Sequence, residues 1–250
     1  MTIRMTGAFA AMLIMMAAAM NGAMAAGSDI VSLYSDLQSR GGFGLNYRIE
    51  RTGSGWSTFN SEWKTRIPVR VDLRNGYLYF TDEGTGGGNF DTQARLFHKS
   101  SGAPMLVIVE NGYNPPYPED TKTRLFSKSG SAWQDDTGWM WPKLSLDDFL
   151  TDEMTIADLR AMKALRAKIY VSLPPKGRVP VAYLVVNETM TQAVCGGDKS
   201  FVVKDKAPYL RYCNQLKDRL FNAIEIDWNT ERDRFEAGRK TRVNLNWNKR

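Results

Sequence analysis

A nine-residue pattern written twice constrains this chain more than any other stretch. Arg95-Leu96-Phe97-His98-Lys99-Ser100-Ser101-Gly102-Ala103 is followed, 29 residues on, by Arg124-Leu125-Phe126-Ser127-Lys128-Ser129-Gly130-Ser131-Ala132, so that Arg, Leu, Phe, Lys, Ser and Ala recur in register. In each copy the Leu-Phe pair has strand character and Ser-Gly supplies turn chemistry. An apolar or aromatic run follows, Met105 to Val109 in the first copy and Ala132-Trp133 in the second. The pattern predicts two similar hairpins at the centre of the fold. Leu96 should stand in the place of Leu125 and Phe97 in that of Phe126, one residue of each pair buried and its neighbour less so, with Lys99 and Lys128 at the surface. This is an architectural signal and carries no catalytic chemistry.

The periods on either side are those of an antiparallel β protein. Ile30, Leu33, Tyr34 and Leu37 have helical spacing and stop at Gly41-Gly42, which predicts a short N-terminal helix packed as a lid. Leu45 to Ile49 alternates apolar and polar, Gly53-Ser54-Gly55 turns the chain, and Trp56 to Lys64 carries aromatics toward a second strand. Ile67 to Leu73 alternates again, Asn75-Gly76 is a two-residue hairpin turn, and Tyr77 to Phe80 returns. Asn114-Pro115-Pro116-Tyr117-Pro118 is a stiff connection between the hairpin copies. Trp139 and Trp141 are spaced to share one face of a strand. Ser145 with Asp148 and Thr155 with Asp158 are capping-box-like, and Ile156, Leu159, Met162, Leu165 and Ile169 then follow at helical steps. Strand alternation resumes at Ile169 to Leu173 and Val179 to Val186, then at Phe221 to Trp228, with a short strand from Phe235. The fold class is mainly β: antiparallel hairpins and meanders in one or two packed sheets, with an amphipathic helix inserted near 155–168.

The N-terminus sets the compartment. Arg4 precedes an uncharged run from Ala8 to Met20, and Ala23-Met24-Ala25 is a small-x-small cleavage site. Thirteen residues of helix rise only about 20 Å, short of a ~30 Å hydrocarbon core, so residues 1–25 read as a secretory signal peptide. Residues 26–250 then form an exported domain, periplasmic or extracellular, as one unit or as two β lobes (26–144 and 169–250) joined by the helical segment. No membrane span is expected after cleavage. In an oxidising compartment the only two cysteines, Cys195 and Cys213, should pair. Two Cys and one His in the whole chain are a poor ligand supply for zinc, so no metal is expected. Of the net charge of +6, five basic residues sit between Arg239 and Arg250 with no acid among them, which reads as a solvated tail contributing little to folding.

Leu125-Phe126, Gly130-Ser131-Ala132-Trp133-Gln134-Asp135-Asp136-Thr137 and Pro142-Lys143-Leu144-Ser145-Leu146-Asp147-Asp148-Phe149 resemble a recurring stretch of uncharacterised exported bacterial β-rich proteins. Tyr170-Val171-Ser172-Leu173-Pro174, Ile224-Glu225-Ile226-Asp227-Trp228 and Arg234-Phe235-Glu236 are similar to their C-terminal part. The resemblance implies a β-rich fold and export, and brings no activity with it.

Chemical motifs are sparse. Gly84-Thr85-Gly86-Gly87-Gly88 lacks the Gly-Lys-Ser/Thr ending of a phosphate loop and reads as a hairpin tip. His98 lies inside the repeat with Ser127 as its counterpart, and no Gly-x-Ser-x-Gly elbow is present. Carboxylate pairs for glycan hydrolysis could be drawn from Asp135, Asp136, Glu188 or Glu225, but only the fold can bring two together. Trp133, Trp139 and Trp141, with Tyr113 and Tyr117, put five large rings within 29 residues, a supply suited either to core packing or to stacking on a sugar or protein partner. The reading is an exported, non-enzymatic binding or envelope-associated protein that uses no cofactor. Its expected partner is an envelope glycan or protein rather than nucleic acid, and the alternative is a secreted hydrolase with a carboxylate pair.

Overall fold

The computed structural model describes residues 29–41, 43–53, 55–83, 88–114, 117–118, 121–176, 179–186, 191, 193, 195–197 and 205–243. The expected signal peptide, most of the glycine-rich tip, Glu188 and the last seven residues lie outside them. So do the side chains of Tyr113 and Tyr117.

Two antiparallel sheets carry the fold. The larger runs through β1 (Glu50–Thr52), β2 (Gly55–Asn60), β3 (Thr65–Asp72), β4 (Tyr77–Asp82), β5 (Asn89–His98), β6 (Pro104–Asn114), β8 (Lys122–Ser129) and β9 (Ala132–Asp135). The two-residue β7 (Tyr117–Pro118) pairs β6 off that path. The smaller is the meander β10 (Lys168–Ser172), β11 (Val181–Val185), β12 (Ala223–Asn229) and β13 (Arg234–Thr241). Helices are short: α1 (Ile30–Ser39), α2 (Thr137–Met140), α3 (Ile156–Ala164) and α4 (Ala207–Arg211), which runs into a π-helical turn at Tyr212–Leu216. A 3-10 turn spans Leu146–Phe149. None of the described helices is long and apolar enough to cross a membrane.

The strand period of two places a core on each face of the large sheet. On one face α1 buries Ile30, Val31, Leu33, Tyr34 and Leu37 against Leu78, Phe80, Leu106, Ile108 and Phe126, each large side chain contributing about 1.5–3 kcal/mol. Asp29 starts that helix by accepting from the Val31 and Ser32 amides, both at 2.9 Å. On the other face Met105, Val107, Val109 and Leu125 meet Val171, Ala182, Leu184, Ile224, Ile226 and Phe235 of the small sheet. The outer edge of β10 is covered by side chains. Asn111 Nδ2 donates to the Val171 carbonyl at 3.0 Å, the Leu173 amide to Gln93 Oε1 at 2.7 Å, and Arg95 Nη1 to the Pro174 carbonyl at 2.6 Å. An otherwise open strand edge is thus satisfied within the molecule.

The repeat does form two hairpins, but its copies sit one residue out of step in the sheet. Leu96 pairs with Leu106 and Leu106 with Phe126, whereas Arg95 pairs with Val107 and Val107 with Leu125. Equivalent residues therefore face opposite sides, since a one-residue slip exchanges the faces of a strand. Leu96 and Phe126 share the α1 face, Phe97 and Leu125 the sheet-sheet face. Leu125 and Phe126 are both fully buried and Leu96 and Phe97 both partly buried, correcting the expectation of one buried and one less buried member in each pair, because the sheet is covered on both sides.

Three further expectations are corrected. Leu45 to Ile49 forms no strand, although Leu45 and Ile49 join the α1-face core. Trp139 and Trp141 do not share a strand face, because Asp136 to Trp141 closes a helical turn, with the Met140 amide bonded to the Asp136 carbonyl at 2.9 Å. The first part of the basic tail belongs to β13, where Lys240 pairs with Ile224 and Thr241 with Ala223. Both capping boxes are present, at Ser145 with Asp148 and Thr155 with Asp158, and Cys195 is bonded to Cys213.

Candidate ligand-binding trough between β3 and β4

The large sheet opens between β3 and β4, and a proline lies at the opening. Strands β3 and β4 pair only at Asp72 with Tyr77, Val71 with Leu78 and Arg70 with Tyr79. Beyond Arg70, β3 pairs β2 alone and β4 pairs β5 alone. The Gly76 carbonyl accepts from the Leu96 amide of β5 at 2.8 Å. By alternation, Leu78, Phe80 and Asp82 turn their backbone groups to β5, while Tyr77, Tyr79 and Thr81 turn theirs toward β3. Continued register would set Pro68 opposite Thr81 and Arg66 opposite Glu83. Pro68 has no N–H to give the Thr81 carbonyl, so the ladder loses a bond where the strands part.

The gap is a trough of about 780 Å³ lined by Trp63, Arg66, Pro68, Arg70, Tyr79 and Thr81 with Asp82, Glu83 and the backbone between them. Its floor is on the α1 face, where Ile67, Val69 and Phe80 are buried. There Asp82 Oδ2 accepts from Tyr47 OH and from Asn60 Nδ2, both at 2.5 Å. Burial and the Asp82 carboxylate together hold the Tyr47 phenol well above its usual range. Those bonds tie the tip of the β2–β3 hairpin to the end of β4 and close the trough below.

The mouth faces the other way. Register puts Arg66, Pro68 and Arg70 on one face with Tyr79 and Thr81. Asp91 organises the β4 wall, accepting from Tyr79 OH at 3.2 Å, Thr81 Oγ1 at 3.0 Å and Tyr170 OH at 2.9 Å. Burial raises the Tyr79 phenol, so it stays a neutral donor at physiological pH. On the β3 wall Arg66 donates to Ser57 Oγ at 2.7 Å and stands 3.8 Å from Glu50. Arg70 is exposed and makes no ion pair among the described residues. The walls thus offer the Arg70 guanidinium, aromatic surface and backbone donors and acceptors with no strand opposite, while Arg66 is held toward Ser57 and Glu50.

The aromatic residues expected to form a binding face are not one face. Trp133 is buried on the α1 side, its Nε1 donating to Asp36 at 3.0 Å. Trp141 packs in the sheet-sheet core, its ring 5.1 Å from Phe235. Trp139 is 53% exposed. Tyr113 and Tyr117 are placed only by backbone pairing, Tyr113 opposite Asn89 and Tyr117 opposite Asn114. Two of the tryptophans serve the repeat. Lys99 lies 5.7 Å from the Trp139 ring and pairs with Asp136, while Lys128 lies 5.5 Å from the Trp133 ring and pairs with Asp36. The same lysine, tryptophan and aspartate grouping is therefore built once on each face.

The candidate carboxylates are committed elsewhere. Asp136 accepts from Ser127 Oγ, Lys99 and Trp139 Nε1, Asp135 accepts from the Thr137 amide and hydroxyl, and Glu225 pairs with Arg239. His98 is exposed at the end of β5 opposite Pro104. Among the described residues no three His, Cys, Asp or Glu side chains cluster as a metal site would require. Pro68 within the alternating run Ile67 to Leu73 was the sequence signal for the trough, since a proline inside a strand marks an edge or a break.

Fold and site together define a two-sheet, disulfide-bonded β protein with an open trough in its larger sheet. No protein-family model matches the chain, and no curated protein matches it. A solved domain of an uncharacterized protein from Porphyromonas gingivalis W83 is similar over 81% of this chain and 85% of that one, with 15% sequence identity and a TM-score of 0.44.

Proposed function

We propose that this is an exported, non-enzymatic binding protein of the cell envelope, acting through residues 26–250, and that the β3–β4 trough receives its ligand. The observation that carries the reading is a cavity of about 780 Å³ whose two walls are strand edges left without partners, with Arg70 unpaired among the described residues at its mouth. Clefts of this size, with convergent polar groups and aromatic surface, are the usual form of a ligand site. The engagement of Asp135, Asp136 and Glu225 in caps and ion pairs supports binding over hydrolysis. The disulfide and the N-terminal leader pattern support export. The partner belongs to the envelope, as a glycan or a protein.

A combined glycan and peptide array tests this. Wild-type protein should retain at least one ligand class that Arg70→Glu loses and Trp139→Ala keeps. An array with no ligand, or one unchanged by Arg70→Glu, would overturn the reading.

A further inference from the structure

Resting on the trough as the ligand site, we infer that its ligand is an extended, acidic polypeptide segment. The segment adds as a short strand to the open edge of β4 and sets its carboxylates against Arg70. The backbone decides for a peptide over a sugar. From the Arg70–Tyr79 pair to the level of Arg66 and Glu83 is four residues, about 13 Å of extended chain. Along that length the Thr81 N–H and C=O groups face the gap, and the same alternation carried one step past the end of β4 would bring those of Glu83 to it, at the two-residue repeat on which a pairing strand presents its own. Sugar hydroxyls have no such repeat.

The two walls are unequal. Because β3 and β4 run antiparallel, a strand lying between them is antiparallel to one and parallel to the other. Pro68 removes a donor from the β3 wall, so the ladder belongs to β4 and the β3 wall acts through side chains. Arg66 and Arg70 stand four residues apart on the mouth face. Carboxylates on alternate residues of a paired strand fall on that same face, within reach of the Arg70 guanidinium, while Arg66, held toward Ser57 and Glu50, adds only its more distant charge. The Asp82 carboxylate is turned to the floor and held by Tyr47 and Asn60, so it does not oppose an acidic ligand at the mouth. Glu83 at the end of β4 favours a neutral or basic residue there.

The experiment is isothermal titration of the mature protein with a blocked hexapeptide of alternating valine and aspartate. Two isomers carry N-methyl groups on alternate backbone amides, one set on each strand edge. A valine-lysine hexapeptide and trigalacturonate complete the series. Saturable binding of the acidic peptide is expected, with the two N-methyl isomers differing by about tenfold or more, because only one edge pairs with β4. Arg70→Ala should weaken it about tenfold, and the lysine peptide should not bind. Pro68→Val restores the N–H opposite Thr81, so the ladder should zip shut and binding should fall at least as far. Absence of acidic-peptide binding, equal affinity of the two isomers, or indifference to Arg70→Ala would overturn the peptide assignment. Arg70-dependent binding of trigalacturonate without peptide binding would overturn it while leaving the trough as the ligand site.

Discussion

Replacing Lys99 and Lys128 one at a time by Met separates what the repeat shares in sequence from what it shares in energy. The two lysines occupy the same place in the nine-residue pattern, and each lies over a tryptophan with an aspartate as partner. Their aspartates differ in access to water. Asp136 is 2% exposed in its side chain and depends on Lys99, Ser127 and Trp139, whereas Asp36 is 29% exposed and keeps Arg40 at 2.9 Å as a second cation. Losing one member of a buried ion pair costs roughly 3–5 kcal/mol, because the remaining charge is left uncompensated. Ser127 Oγ and Trp139 Nε1 still donate to Asp136, so Lys99→Met should cost about 2–4 kcal/mol. Lys128→Met leaves a hydrated, still-paired carboxylate and should cost no more than about 1 kcal/mol. Urea unfolding at neutral pH, with unchanged slope in denaturant, measures both. Asp136→Asn in the Lys99→Met background should recover part of the loss by removing the stranded charge. Equal costs for the two lysines within 0.5 kcal/mol, roughly the scatter of surface substitutions, would refute the argument from burial.

Phe126→Ala should cost about 3–5 kcal/mol, because the ring is fully buried and set edge-on to Phe43 at 5.2 Å. Phe97→Ala, at a partly buried ring beside Phe235, should cost about 2 kcal/mol, and chemical denaturation giving equal losses would contradict the face assignment. Replacing both Cys195 and Cys213 by Ser opens a loop with a sequence separation of 18 and should lower stability by about 3 kcal/mol, checked against the reduced wild type. Lys128, and after it Trp133 and Arg40, hold the Asp36 carboxyl down at about 2 from an ordinary 3.8. A lowered pKa stabilises the fold above the unfolded value and ceases to do so as the group protonates. Stability should therefore fall between pH 4 and pH 2, and Asp36→Asn should flatten that part of the pH profile.

Features that depend on neighbours along the chain are legible in the residues alone. The α1 periodicity, the capping boxes at Ser145 and Thr155, and the strand periods of Val181–Val185 and Ala223–Asn229 are local patterns, and the structure follows them, whereas Asn75-Gly76 ends a four-residue turn from Leu73 to Gly76 instead of forming a two-residue one. The pairing of the two cysteines was expected from their number together with the export that the leader pattern suggests, and the structure bonds them. Tertiary structure decided what depends on register between strands. The repeat predicts hairpins, but a one-residue offset against β6 sends its copies to opposite faces. Trp133 became a core residue once α1 brought Asp36 to its ring nitrogen. Arg239 and Lys240 became strand residues because β12 lay beside them, and Glu225 supplied a counter-charge to Arg239. Alternation reads Ile67 to Leu73 as one unbroken strand in spite of Pro68, and only the pairing of Arg70 with Tyr79 reveals that the missing N–H of Pro68 falls opposite Thr81, where the sheet opens. Backbone propensity is carried by adjacent residues, whereas register is set by contacts between strands far apart in the chain, and the trough is a product of register.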